Sequence, residues 1–450
     1  MTASEVAGIE REFDVIIVGS GLAGLTAGVA VARGGRSVLI CEKGSSLGGR
    51  ASTYVDAGLS FNLGPHALYQ EGAGVRVLKE LGIEFSGSAP ESGRWLIHQQ
   101  RRFPLPRDMR SLLFNRLLGF RGGWAAARIL SRLPRINAEQ WIGVTVQDWL
   151  DRQTRNRAAQ AFLRALIRLS TYANAPDEQC AGTAIAQLQM ARGGVLYIDG
   201  GWNSLVERLA EAATAAGAET RCSQRIEQVL VENDKVSGVR FADGTVCRAA
   251  NVLVAAPPQT LVDLLPDIET AVHRFARTTR PARAACLNVG LRRLPDSEHL
   301  FGLGVDEPTY FSVHSLAARL GPDGTALIHL ARYLSPDDRP DPKQVREQLE
   351  SQLDLMQPGW RDELIAERFF PSLVVVPAID LAGQRGRYGR PGVSVPEVTG
   401  LSVAGDWVGN EGMLADTALA SGLEAARKIL DQTSEETGIR EGAHVHAGRI

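Results

Sequence analysis

The chain has 450 residues, 44% of them hydrophobic and 22% charged, with a formal net charge of −2. That length allows two or three domains around sizeable cores, and the near-neutral balance excludes a globally basic nucleic-acid binder. Five scattered cysteines (Cys41, Cys180, Cys222, Cys247 and Cys286) lack any C-x-x-C spacing, which speaks against a disulfide framework or a zinc site.

Phe13 to Val18 is a short, apolar, β-branched run, as expected of a strand buried on both faces. Gly19-Ser20-Gly21-Leu22-Ala23-Gly24 follows at once, and an alanine-rich helical stretch runs on to about Arg33. The three glycines serve different ends. Gly19 permits a tight turn, Gly21 lets backbone N–H groups approach a pyrophosphate, and Gly24 lets helix and strand pack closely. The helix N-terminus, with Leu22 and Ala23 in its first turn, offers unpaired donors and a favourable dipole to negative charge. A second apolar run ends at Cys41, and Glu42 lies eighteen positions after Gly24, where a carboxylate meets ribose hydroxyls. A lone GxGxxG is a weak signal; strand, glycines, helix, strand and acid in this order specify a dinucleotide site more firmly than a plain βαβ unit.

The continuation Glu42-Lys43-Gly44-Ser45-Ser46-Leu47-Gly48-Gly49-Arg50 resembles the E-K-x(n)-G-G-R extension of the FAD superfamily that holds flavin amine oxidases, protoporphyrinogen oxidases and phytoene desaturases. The resemblance implies FAD as the dinucleotide, a second glycine pair near the diphosphate, and positive charge from Arg50. The segment YVDAGLSFNLGPHALY (54–69) reads as a strand pair closing on Gly64-Pro65-His66. It resembles the flavin-approaching segment of phytoene desaturase-like proteins. His66 is the single catalytic candidate, set against the plainer reading of a hydrogen-bonded loop histidine.

From Arg101 to Arg135 nine arginines meet one acid, Asp108, with Leu112, Leu113, Phe114, Leu117, Leu118, Phe120, Trp124, Ile129, Leu130 and Leu133 between them. The period is largely helical. Two compatible readings follow: a basic amphipathic surface drawn to anionic lipid, or a lid over a substrate cavity with solvated charges. Residues 145–192 read as further helices. Gly193 to Trp202, a helix from Ser204 to Ala216, strands near 220–222, 226–231 and 236–241, and a closing strand 251–256 resemble the middle FAD-domain segment, which implies that Ile226 lies against the adenine. In 276–394, strands and helices mix, and Gly383, Gly386, Gly389 and Gly392 with Arg385, Arg387 and Arg390 read as a mobile basic loop. The last block, Leu401 to Trp407 and Asn410 to Asp416, resembles the C-terminal flavin motif. It implies flavin contacts from Gly405, Asp406, Met413, Leu414 and Ala415, with Asp406 at the ribityl and diphosphate end.

The implied fold is α/β: a Rossmann-type, discontinuous FAD-binding domain (1–85, 193–275 and 395–432) with an inserted α+β substrate domain (86–192 and 276–394), and a disordered tail over 433–450. The N-terminal MTASEVAGIEREF has no leader pattern and no run approaches eighteen apolar residues. The expected location is therefore cytoplasmic, with a peripheral position at the inner membrane face as its refinement.

Amine oxidases typically place a lysine near the flavin and cage the amine with two aromatic residues. No lysine lies between Lys235 and Lys343, and Met413, Leu414 and Ala415 occupy the expected cage position. Both departures favour the phytoene desaturase side of the superfamily: oxidation or rearrangement of C–C bonds in a hydrophobic, isoprenoid- or carotenoid-type molecule. The alternatives are a flavin amine oxidase and a non-catalytic FAD-binding protein of a membrane surface. The electron acceptor is open among oxygen, a quinone and NAD(P)+.

Overall fold

A computed structural model describes residues 9–90 and 93–446, with side chains over 11–90 and 93–432. Two seven-stranded sheets organise it. In the first, Ile9–Val18 pairs in parallel with Val38–Cys41 on one side and Val246–Val254 on the other, and Glu219–Arg221 extends the sheet beyond Val38–Cys41. The long strand Val246–Val254 serves two neighbours: its first half runs antiparallel to Lys235–Phe241, and its last three residues run parallel to Leu401–Val403. Helix Leu22–Arg33 returns across this sheet. Val15, Ile16, Ile17, Leu39, Ile40, Val252, Leu253 and Val254 are completely buried, so the β-branched run reads as the central strand it is, covered on both faces.

The second sheet runs Leu364–Val376, Ala282–Leu291, Ala326–Leu334, Thr309–Val313, Phe301–Gly304, Arg94–His98 and Arg101–Pro104 in spatial order. Its register decides which residues share a face. Leu287 pairs with Leu330 and Val289 with Ile328, and these pack against Val345, Leu349, Leu353 and Met356 of helix Pro342–Met356. Each such buried side chain contributes roughly 1.5–3 kcal/mol. The opposite face alternates with it: Ala284 beside Tyr333, Cys286 beside Ala331, Asn288 beside His329. That face looks toward the glycine-rich segment 62–66, because Gly64 lies against Cys286 and Asn288 Nδ2 donates to Asn62 O at 3.0 Å.

Three expectations change here. Arg101–Pro104 is a strand, turned back on Arg94–His98 through Gln99 and Gln100, both left-handed, as a two-residue hairpin with that twist requires; helix begins only at Met109–Leu113 and Gly119–Arg132. The loop expected to be mobile is anchored: Arg390 donates through Nε and Nη2 to both oxygens of Asp380 at 2.7 and 2.6 Å, with both side chains 3% exposed. The last helix is Ala415–His446, so its backbone continues past residue 432 instead of breaking there. Once a helix is nucleated by packing, each further residue adds a bond at little cost. The expectation for 447–450 lies outside the described residues.

Candidate functional site

Three glycines shape the turn after the first strand. Gly19 has φ +101°, and a Cβ there would stand 2.7 Å from Ala255 O; one on Gly24 would stand 2.0 Å from Gly19 O. Both are demanded by the chain itself. Gly21 is different. A Cβ on it would meet nothing nearer than Gly48 O at 3.9 Å, and one on Gly49 nothing nearer than Gly21 Cα at 4.0 Å. The two glycine segments therefore flank one cleft, with no side chain from elsewhere in the chain within 4 Å of either Cβ position, at the N-terminus of helix Leu22–Arg33, where the first N–H groups lack helical acceptors. Gly48 N–H donates to Ser20 O at 3.1 Å and ties the segments together.

Glu42 secures that tie. Its Oε2 accepts from Ser20 N–H at 3.1 Å and Ser20 Oγ at 2.8 Å, and its Oε1 accepts from Gly44 N–H at 2.8 Å. Lys43 is exposed. The loop before Ile226 joins in: Ser223 N–H donates to Gly44 O and Gln224 N–H to Glu42 O, at 2.8 and 2.9 Å. Buried Ile226 thus starts its strand, Ile226–Glu232, next to Glu42.

Arg50 and Asp406 are 356 positions apart and form a bidentate pair, Nη1 to Oδ2 at 2.6 Å and Nη2 to Oδ1 at 2.7 Å. Asp406 is almost fully buried while Arg50 is half exposed. Arg50 Nη1 also donates to Val375 O at 3.2 Å, so the pair sits where the two sheets meet. Gly405, at φ +152°, turns the chain into Asp406, and its N–H donates to Ser421 Oγ.

The Gly64-Pro65-His66 segment lies below this pair. Gly64 has φ +105°, and a Cβ on it would stand 3.1 Å from Cys286 Sγ. His66 holds carbonyls at both ring nitrogens, Gly64 O at 2.9 Å and Arg50 O at 3.0 Å. Burial lowers its pKa and outweighs the two carbonyls, which favour the protonated ring. A neutral ring donates to only one of those carbonyls. His66 is thereby committed to backbone contacts.

Met413 is buried, and Leu414 is left-handed at φ +59°, as is Tyr172 at the same angle. Left-handed backbone costs a non-glycine residue roughly 1–2 kcal/mol, and such residues gather at functional sites. Here they adjoin: Leu414 and Tyr172 pack against the same buried cluster of Ala173, Ala175, Val376 and Ile379. Ala415 opens the final helix, and the next residue, Asp416, is buried. Its Oδ1 accepts from Gly74 N–H at 2.8 Å and its Oδ2 has no partner. Burial pushes its pKa up to about 6, with the Gly74 N–H pulling the other way.

Opposite Gly64 stands a wall with no motif in the sequence. Cys286, Tyr310, Ala331 and Tyr333 are its buried part, and Leu169, Tyr172, Phe301, Phe370, Leu373 and Val375 are its partly exposed part. Burial pushes the Cys286 thiol up to about 12, so it stays neutral. Farther along the same face, Tyr310 OH bonds His314 Nε2 and Tyr197 OH, each at 3.1 Å, and His329 Nδ1 bonds Asn288 Oδ1 at 2.8 Å. Burial lowers both histidines, His329 to about 3. Sequence reasoning missed this wall; the alternation of strand Ala282–Leu291 was its only trace. Among the described residues, no cluster of histidine, cysteine and carboxylate side chains could hold a metal.

A glycine-lined cleft at a helix N-terminus fits a dinucleotide diphosphate, and an arginine–aspartate pair stands at the end of that cleft nearer the second sheet. Residues 22–430 match the family model described as flavin containing amine oxidoreductase. The chain belongs to that family. It is an FAD-dependent oxidoreductase with the family's mixed α/β fold. Among curated relatives, hydroxysqualene dehydroxylase of Zymomonas mobilis is 25% identical over 56% of this chain and 64% of its own length. Phytoene dehydrogenase of Streptomyces griseus is 26% identical over 78% of each chain. The chain thus spans slightly less than two thirds of the length of the first of these relatives. Among solved structures, putrescine oxidase bound to putrescine superposes with a TM-score of 0.71 at 17% identity, over 94% of this chain and 99% of that one, a likeness of fold.

Proposed function

We propose that this enzyme dehydrogenates or rearranges C–C bonds of a hydrophobic, isoprenoid- or carotenoid-type substrate. The observation that carries the reading is the wall facing Gly64: a neutral thiol, three tyrosines and the apolar Phe370, Leu373 and Val375. None of the chain's five lysines belongs to it. Tyr172 and Tyr333 meet edge to face, 6.2 Å apart at 71°, so they do not offer two parallel faces to an amine. The names of the two curated relatives agree with a polyprenoid substrate.

FAD, when bound, accepts hydride from substrate carbon, and oxygen, a quinone or NAD(P)+ reoxidises it. In this reading Gly19, Gly21, Leu22, Ala23, Gly24 and Gly49 frame the diphosphate, and Glu42, with Lys43 beside it, and Ile226 border the adenosine end. Arg50 and Asp406 neutralise one another beside the diphosphate and ribityl groups. Gly64, Pro65, His66, Gly405, Met413, Leu414 and Ala415 close around the ring and keep water from it. Within 1–85, 193–275 and 395–432 the described residues form the cofactor half, and within 86–192 and 276–394 they form the substrate half. His66 positions backbone and exchanges no proton.

Substrate entry from a membrane surface belongs to the same proposal. Among the described residues, four of the seven exposed large hydrophobic side chains are Met109, Phe114, Phe120 and Trp124. Exposed Arg107, Arg110, Arg116 and Arg121 are interspersed with them. No helix among the described residues is long and apolar enough to cross a membrane, so the contact is peripheral.

The test is anaerobic bleaching of bound flavin in liposomes, comparing a polyprenoid panel with an amine panel. Bleaching by a polyprenoid is the expected result. Bleaching by amines alone overturns the proposal.

A further inference from the structure

Arg168, on helix Arg157–Thr171, is 7% exposed and meets no carboxylate within ion-pair distance among the described residues. Its Nη2 donates to Gly304 O at 3.0 Å, and its Nε is buried without an acceptor. Burial lowers its pKa to about 10, which leaves it charged at neutral pH. The second observation is Tyr333, 1% exposed, whose hydroxyl is also buried without a partner. Its main chain is fixed, the N–H on Pro308 O at 2.8 Å and the carbonyl accepting from Asn174 Nδ2 at 3.4 Å. Gly304, held by Arg168, and Pro308, which holds the Tyr333 N–H, are the two ends of the turn that joins strands Phe301–Gly304 and Thr309–Val313. Leu169 and Tyr172, neighbours of Arg168 on or just after its helix, pack with Phe301 and Phe370 against the apolar cluster that holds Tyr333.

Buried donors are almost always satisfied, and a buried guanidinium is almost always balanced by an anion. Here a cationic donor and a neutral one go unmatched beside the same turn, and the phenol belongs to an apolar surface. The missing partner has to carry lone pairs and negative charge, joined to a chain that fits the wall. We propose that Arg168 and Tyr333 bind the oxyanion end, carboxylate or phosphate, of an otherwise apolar substrate. This rests on the hydrophobic-substrate reading above and narrows it from hydrocarbons to anionic amphiphiles.

The test is calorimetric titration of the FAD-loaded enzyme with hexadecanoate and farnesyl phosphate, and with hexadecanol and farnesol as their neutral counterparts, each below its micelle concentration. We expect at least one acid to bind about tenfold or more tighter than its alcohol. In Arg168→Met that preference falls to about one while the alcohols bind within about threefold of wild type. Arg168→Lys retains part of it, and Tyr333→Phe lowers acid affinity about three- to tenfold more than it lowers alcohol affinity. Whichever of the two acids shows the preference identifies the oxyanion.

Equal binding of acid and alcohol to wild type overturns the inference but leaves the hydrophobic-substrate reading intact. Preference surviving in Arg168→Met with a lowered melting temperature overturns it too, since Arg168 would then only cap the Gly304 carbonyl. Binding by none of the four overturns both readings. Should Arg168→Met fail to fold, Arg168→Lys and Tyr333→Phe with full flavin content decide the same question.

Discussion

The cleft of the first sheet and the wall of the second face one another across Gly64, yet they are built on opposite principles. The cleft is backbone. Gly21, Gly49 and the first N–H groups of helix Leu22–Arg33 present main chain, so its specification is a set of missing side chains at fixed local spacings. The wall is side chain. Cys286, Tyr310 and Tyr333 come from three strands and Tyr172 from the end of a helix, brought together by register and not by spacing. A diphosphate is one fixed group that main chain can hold, whereas a substrate takes whatever side chains a sheet can turn toward it.

The seam between the two regions offers the largest expected effect. Arg390 pairs with Asp380 and also donates to Gly412 O at 3.3 Å and Thr417 Oγ1 at 3.2 Å, at the start of the last helix. Arg390→Met leaves a buried carboxylate unpaired and should cost about 3–5 kcal/mol. Thermal denaturation measures the loss, and limited proteolysis should find new cuts within 383–392. An unchanged protease pattern would mean the loop is held by something other than this pair.

Within the cleft, two neighbouring glycines should behave oppositely. A Cβ on Gly24 stands 2.0 Å from Gly19 O, so Gly24→Ala should destabilise by about 3 kcal/mol and shed flavin. Gly21, with φ −67° and open space beyond it, tolerates alanine in the apoprotein, which should gain about 0.4–1 kcal/mol. Its flavin content, read from visible absorbance per chain, should still fall. If Gly21→Ala keeps full flavin, the cleft is not where the diphosphate lies.

These differences explain what was legible in the sequence. Gly19 and Gly24 signal their backbone demands directly, and strand Phe13–Val18 signals its burial. Arg50 and Asp406 were each legible as site residues, but not their pairing, which depends on a separation of 356 positions closing in space. Arg390 reads as part of a mobile loop because seven glycines and arginines in alternation look solvated unless the buried Asp380 is known. The wall was illegible because Cys286, Asn288 and Ala284 alternate with an equally apolar face, and no pattern says which face holds a ligand.

Titration separates the regions by sign. Asp416, beside Gly72 and Gly74, has its pKa raised to about 6 from 3.8. The folded state then binds the proton more tightly, and stability falls as pH rises between about 4 and 6. The loss amounts to about 3 kcal/mol at neutral pH. Asp416→Asn should remove that loss and be more stable than wild type at pH 7.5 but not at pH 4. The wall's His329 is lowered to about 3, so the unfolded chain takes its proton first and stability falls as pH drops below about 6.5. His329→Gln should blunt this acid loss. Chemical denaturation of both variants at pH 4, 5.5 and 7.5 checks the two signs; identical pH slopes in wild type and Asp416→Asn would exclude a titrating Asp416.

The smallest expected effect on stability comes with the sharpest one on location. Phe114, Phe120 and Trp124 are 71%, 66% and 56% exposed, so replacing all three by serine removes little packing and should change stability by about 0.5 kcal/mol or less per site. Burying such side chains in a bilayer is worth roughly 1.5–3 kcal/mol each, so their loss should cut binding to anionic vesicles by well over tenfold. Cosedimentation with vesicles measures this, and the same vesicles made from neutral lipid separate the aromatic contribution from that of Arg107, Arg110, Arg116 and Arg121. A variant that keeps its vesicle binding would return this surface to a lid with solvated charges. One that loses binding while oxidising detergent-dispersed substrate at the wild-type rate would divide the enzyme cleanly: membrane contact in these helices, and chemistry between the wall and the cleft.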